Sequence, residues 1–272
     1  MGGPLAGWLV PDWPAPDAVR AVFTTRGGGV SAAPFDSLNL GDHVGDAPAA
    51  VAANRGRLQE TLGVQAVFMQ QVHGTRTADL DHERSHAATL VADACTTARE
   101  GLACTVMVAD CLPVLLTDTE GRWVGAAHAG WRGLAGVGDG PGGRGVIESV
   151  MADLCRRASE AGAAHTVQWL AWLGPCIGPQ AFEVGAEVRE AFVAHDRAAD
   201  GCFRPRGPDK CLADLPALAR QRLQRLGLNA VWGNDGSPPW CTVTQASAFF
   251  SHRRDAGRLG STGRMAACIW RV

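Results

Sequence analysis

Apolar positions along the chain recur in two rhythms. At the helical rhythm, Val51, Leu58 and Leu62 predict an amphipathic helix over Pro48–Leu62, closed by Gly63. Val146, Val150, Leu154 and Arg157/Ala158 predict a second over Val146–Glu160, ended by Gly162. Two further helices fit residues 186–194 and 215–226, the latter ended by Gly227. Short unbroken apolar runs at 102–108 and 114–117 predict strands buried on both faces. Residues 20–25, 66–69, 123–128, 167–173 and 266–272 read as strands as well. Strands and helices intermingle throughout, with no linker of foreign composition and no internal repeat. The expected fold is therefore a single α/β domain over residues 1–272.

Composition narrows the partners. The chain has 272 residues and 46% hydrophobic positions, enough to bury a large core without a staple. Its net charge of -2 offers no basic face for nucleic acid and no polybasic membrane anchor. No apolar run approaches the roughly 18 residues of a membrane span, and the first residues lack the pattern of a signal peptide. Nine cysteines at wide spacing, with no CxxC pair, argue against a disulfide framework or a zinc ribbon. A reducing cytoplasm is the expected setting.

The candidate chemistry lies in three segments. His73 sits in QVHG, Cys111 in ADCLP and His128 in AAHAGWRG. Each follows a strand-like run and precedes a glycine or proline, so each is expected at a strand end, where loops converge on sites. One thiolate and two imidazoles make a three-ligand zinc set with a fourth position open to water or substrate; copper accepts the same ligands. Two other readings stand beside this one. A cysteine after an apolar strand is commonly a small buried hydrophobe. Alternatively, Cys111 is a nucleophile with His128 as its base and Asp110 as the orienting group. The glycine-rich stretch 133–145 precedes a helix, yet it fits neither a P-loop nor GxGxxG and reads as a surface loop.

Taken in order, FTTRGGGVS (23–31), SLNLGDHVGD (37–46), NR (54–55), QVHG (71–74), DACTT (93–97), ADCLPVLL (109–116), AAHAGWRG (126–133), GPCIGPQAFEVG (174–185), SHRRD (251–255) and TGRMA (262–266) span nearly the whole chain. They resemble the laccase-domain, or polyphenol oxidoreductase, family of multifunctional purine nucleoside enzymes. The resemblance implies α/β/β/α layers, with two mixed sheets packed between helices. It implies zinc held by His73, Cys111 and His128, with copper as the alternative metal. It further implies phosphorolysis of adenosine, inosine, guanosine and methylthioadenosine, and deamination of adenosine. The partners expected are purine nucleosides and phosphate, bound by a monomer or small homo-oligomer.

Proton transfer to the leaving group points to Asp110 or Glu183. Phosphate needs the planar, permanently charged fork of arginine. Arg26, Arg55, Arg132, Arg253 and Arg264 all lie in family-like segments, and Arg26 is favoured because three glycines follow it. Asn39, His43 and Gln71 are candidates for hydrogen bonds to ribose or base, and Trp131 for stacking. The chain departs from the family pattern twice. Residues 137–144 read as an insertion, and Lys210–Leu215 lacks the histidine of KxHxDL. A conventional laccase is disfavoured, because the eight histidines include no HxH pair.

Overall fold

The computed structural model describes residues 7–83, 90–137 and 143–272. In chain order, β1 (Val19–Phe23) leads through a long loop to helix α1 (Pro48–Leu62). Then come β2 (Gln65–Val67), β3 (Thr77–Asp79), β4 (Ala94–Thr97), β5 (Leu102–Val108), β6 (Leu112–Asp118) and β7 (Val124–Ala129). Helices α2 (Trp131–Ala135) and α3 (Val146–Glu160) precede β8 (Trp169–Leu173), β9 (Glu183–Gly185) and α4 (Ala186–Val193). Strands β10 (Phe203–Pro205) and β11 (Lys210–Ala213), helix α5 (Leu215–Arg225), β12 (Val231–Gly233), α6 (His252–Leu259) and β13 (Met265–Arg271) complete the chain.

The expected helices 48–62 and 146–160 and the expected strand 102–108 form with those bounds. Helix α1 has proline in its first turn, and Gly63 at φ 70° donates its N–H to the Gln59 carbonyl. Helix α3 is closed at its start by the Glu148 carboxylate, which accepts from the Gly145 N–H at 2.8 Å. Strands β3, β4 and β9–β12 and helices α2 and α6 are absent from the sequence reading. They span three to eight residues, and β4 is built of alanine, cysteine and threonine, so neither period has room to show.

The strands form a four-stranded sheet of order β1-β13-β5-β2 and a six-stranded sheet of order β12-β8-β6-β7-β4-β3. Both are mixed: β2 runs parallel to β5, β3 to β4 and β12 to β8, and the remaining pairs are antiparallel. A third sheet, β10-β11-β9, is small and was not expected.

Alternation along single strands separates the layers. Cys104, Val106 and Val108 of β5 pack with Leu115 of β6, Val124 and Ala126 of β7 and Ile269 of β13, filling the space between the two sheets. Leu112, Val114 and Leu116 of β6 point the other way, onto Val150 and Leu154 of α3 and Leu218 and Leu223 of α5. On the outer face of the four-stranded sheet, Ala103 and Met107 meet Leu58 and Leu62 of α1. The expected α/β/β/α layering is thereby realised. No described helix is long and apolar enough to cross a membrane.

Candidate metal centre and active site

The chain leaves the four-stranded sheet at the end of β5 and enters the six-stranded sheet at β6, with three residues for the crossing. Asp110 makes the corner at φ 90°, a conformation that L-residues rarely adopt. The corner is pinned. Asp110 Oδ1 accepts from the Thr242 hydroxyl at 2.5 Å, Oδ2 accepts from the Arg253 N–H at 2.6 Å, and the carbonyl accepts from the Ile177 N–H at 2.9 Å. Cys111 is thereby placed beside the end of β7, where His128 pairs in register with Pro113.

His73 enters from the loop after β2, also with positive φ, at 61°. Two such residues at one site are a local strain that the surrounding bonds must hold. Asp93 holds it. Its buried carboxylate accepts from the N–H groups of Val72 at 3.1 Å, His73 at 2.9 Å and Gly74 at 2.7 Å. Oδ1 also meets His128 Nδ1 at 2.8 Å. That bond leaves Nε2 of His128 as the ring atom facing Cys111. Asp93 thus orients two of the three candidate ligands, as carboxylates behind metal-bound histidines do. The sequence reading passed over it; its signal was the position of DACTT among the family-like segments.

His73, Cys111 and His128 offer ligand atoms that all lie within 4.8 Å of one another, with Cys111 Sγ 3.7 Å from His73 Nε2. A tetrahedral zinc site has ligand–ligand edges of about 3.4–3.6 Å. The donor set therefore fits the ion in type and number, and the Cys111–His73 edge matches it in length, while the set as a whole spans up to 4.8 Å. Gly130 lies against the set. A Cβ there would stand 2.9 Å from His73 Cδ2 and 3.0 Å from Cys111 Sγ, closer than real contacts allow. Without the ion, burial works against both charges. The imidazoles nevertheless hold the Cys111 thiol down to about 6, and the Cys111 thiolate and Asp93 push His128 up to about 9.

The three residues line a cavity of about 310 Å³, within the usual range for small-molecule sites. Met107, Trp131, Ile177, Phe182 and Leu215 supply apolar wall, and Asp110, His43, Gln71, His252, Arg253 and Arg264 supply polar wall. Of the residues predicted to touch substrate, His43, Gln71, Trp131, Arg253 and Arg264 reach the cavity. Gln71 spends both ends of its amide on the Met107 backbone, at 2.8 and 2.7 Å.

Five predicted residues do not line the cavity. Arg26 gives its guanidinium to the Asp36 and Ala246 carbonyls and the Asp36 carboxylate. Arg55 binds the Leu40 carbonyl and pairs with Asp42. Asn39 is fully buried in loop bonds. Arg132 stacks on Trp131 at 4.6 Å, and Glu183 pairs with Arg206 at 2.9 Å. The physical reason is shared: each polar end meets a partner in its own neighbourhood before it can reach the cavity. Of the insertion read over 137–144, residues 138–142 lie outside the described residues. Asp214, in the segment without its histidine, caps α5 by accepting from the Ala217 N–H at 2.9 Å.

Residues 20–272 match the family described as multi-copper polyphenol oxidoreductase laccase. A purine nucleoside phosphorylase of Pseudomonas aeruginosa is 47% identical over 264 residues, covering 97% of this chain and 98% of that protein. Purine nucleoside phosphorylase YfiH of Escherichia coli is 46% identical over 266 residues, with coverage of 97% and 98%. Among solved structures, a Neisseria meningitidis protein superposes with a TM-score of 0.84 at 42% identity, covering 97% of this chain and 99% of that one. YlmD of Geobacillus stearothermophilus gives 0.80 at 30% identity, with coverage of 97% and 96%. With nearly its whole length matched in sequence and in fold, the chain belongs to the polyphenol oxidoreductase laccase family, whose relatives here are named purine nucleoside phosphorylases.

Proposed function

We propose that this chain is a zinc-dependent purine nucleoside phosphorylase that also deaminates adenosine. The observation that carries the reading is the His73–Cys111–His128 set in the wall of a cavity of nucleoside size, in a chain whose relatives bear the phosphorylase name. In phosphorolysis a phosphate oxygen bonds to C1′ of the ribose as the bond from C1′ to the purine nitrogen breaks. The electron pair goes to the purine, which takes a proton from water and leaves as the free base. Trp131, Ile177 and Phe182 provide apolar surface for a planar base. His252, and His43 with its Nδ1 3.5 Å from the Asp42 carboxylate, are the cavity imidazoles outside the metal set that serve proton transfer, because both oxygens of Asp110 are already engaged. A bound zinc supplies a Lewis acid at the open coordination position and lowers the pKa of water held there.

The test is one incubation with adenosine, with and without phosphate, resolved by chromatography. Adenine that appears only with phosphate, and inosine that appears in both, are the expected products. Free base that forms equally without phosphate would mean hydrolysis and would end the phosphorylase reading.

A metal-free Cys–His hydrolase is the second reading, favoured by the lowered Cys111 thiol beside His128. Stoichiometric zinc in the purified protein excludes it. Copper-dependent phenol oxidation requires several metal centres, and one group of three donors occurs among the described residues. Oxygen uptake with a phenol, with and without copper, is expected to show no turnover comparable with nucleoside cleavage.

A further inference from the structure

Among the described residues, no carboxylate pairs with two guanidinium groups of the cavity wall, those of Arg253 and Arg264. Arg264 spends Nη1 on the Thr262 and Gly263 carbonyls, at 3.0 and 3.2 Å. Its Nε and Nη2 make no hydrogen bond among the described residues, yet neither is sealed from solvent-sized space. Arg253 gives Nη1 to the Ala181 and Glu183 carbonyls and forms no ion pair among the described residues. Arg26 and Arg55 differ, since each is paired with an aspartate.

Arg264 is also held in place. Asn39 Oδ1 accepts from the N–H groups of Arg264 and Gly41, both at 2.9 Å, and the Arg264 carbonyl accepts from Leu40. Its stem lies so close to residue 41 that a Cβ there would stand 2.8 Å from Cγ. Asn54 ties the same loop to α1 through the Asn39 carbonyl at 2.9 Å. The SLNLGD, NR and TGRMA segments, far apart in sequence, thus cooperate to fix one cation. Burial lowers the Arg264 pKa, so the charge is short of solvation. Asp110, the acid of this cavity, turns its oxygens to Thr242 and the Arg253 N–H.

We propose that Arg264, assisted by Arg253, forms the subsite that holds the tetrahedral oxyanion attacking the nucleoside. The proposal rests on the phosphorylase reading and names the residues that place its co-substrate. A forked guanidinium with two free donors suits phosphate oxygens. Inorganic phosphate and the phosphate of a nucleoside monophosphate share this chemistry, and the test separates them.

Calorimetric titration of the full-length, zinc-loaded protein with inorganic phosphate reads the site directly. Arg264→Met keeps the unbranched stem and removes the charge; it is expected to weaken phosphate binding by about tenfold to a hundredfold. Arg253→Met is expected to weaken it less, and the exposed Arg189→Gln to leave it unchanged. If Arg264→Met fails to fold, Arg264→Lys serves: it retains the charge, loses the fork, and is expected to raise the KM for phosphate with little change in the KM for nucleoside. A parallel titration with adenosine monophosphate is expected to bind more weakly than phosphate plus adenosine; tighter binding overturns the assignment to inorganic phosphate. Unchanged phosphate affinity in Arg264→Met overturns the subsite and leaves the phosphorylase reading intact. Arg264-dependent phosphate binding without phosphate-dependent base release sustains the subsite and ends that reading instead.

Discussion

At the scale of single residues, the candidate site depends on Asp93 as much as on His73, Cys111 and His128. Four donors converge on its two oxygens: three successive backbone N–H groups and the His128 ring. Asp93→Asn replaces one acceptor with a donor and sets it against those N–H groups. Zinc affinity, read by chelator competition, is expected to fall by about 10–100-fold. Cys111→Ala removes the thiolate of the proposed metal set, so metal analysis is expected to find no stoichiometric zinc, and the two proposed nucleoside activities are expected to vanish together. Zinc binding also needs His128 neutral. Because the metal-free ring titrates at about 9, affinity is expected to rise with pH up to that value and then level off, as competition measured across pH would show. Affinity that is flat between neutrality and pH 9 would mean that the thiolate–imidazolium pair does not form.

At the scale of elements, helix α3 carries the outer face of the six-stranded sheet. Leu154 is fully buried there, among the residues that pack β6 and β7 against α3 and α5. Leu154→Ala is expected to cost about 2–5 kcal/mol in denaturant unfolding, with zinc stoichiometry unchanged, because the apolar cluster around Leu154 includes none of His73, Cys111 and His128. The β5–β6 crossing behaves differently. Its three residues place Cys111 directly, and the strained Asp110 is held by bonds from β8–β9, the 241–243 region and α6. Disturbance at this corner is therefore felt at Cys111, in the proposed metal set, before it is felt in the core.

At the scale of the whole molecule, one charged cluster fastens α3 to the edge of the sheet. Arg157, whose side chain is only 6% exposed, faces Asp79, Asp81 at 2.6 Å and Asp153 at 2.9 Å. Burial alone would raise the Asp81 and Asp153 carboxyls, but hydrogen bonds from Thr97 and Thr96, together with Arg157, hold both below their ordinary value of 3.8. The sign follows. Groups with a depressed folded pKa stabilise the fold above the unfolded value, and that stabilisation is lost as pH falls through the folded value. Among the described residues, Arg157→Met leaves Asp81 without a cation and Asp79 and Asp153 with Arg156 as their one arginine, and is expected to cost about 3–5 kcal/mol. Its acid unfolding transition, followed by circular dichroism, should move to higher pH than that of the wild type.

The long elements and the candidate ligand triad are legible in the residues alone. Helices α1 and α3 and strand β5 are legible because each is long enough for its period to repeat and is bounded by glycine or proline. His73, Cys111 and His128 are legible because their residue types are rare beside strand ends and their segments match a family. The geometry confirms that the three meet. Which polar residues serve the cavity follows from long-range packing. Arg26 and Arg264 look alike in the chain, each beside glycine in a family-like segment. One is neutralised by Asp36, ten residues away, and the other is left unpaired in a cavity by bonds to Asn39, which is 225 residues distant. Hydrogen-bond partners chosen across such separations carry no local period, and so no reading of spacing can foresee them.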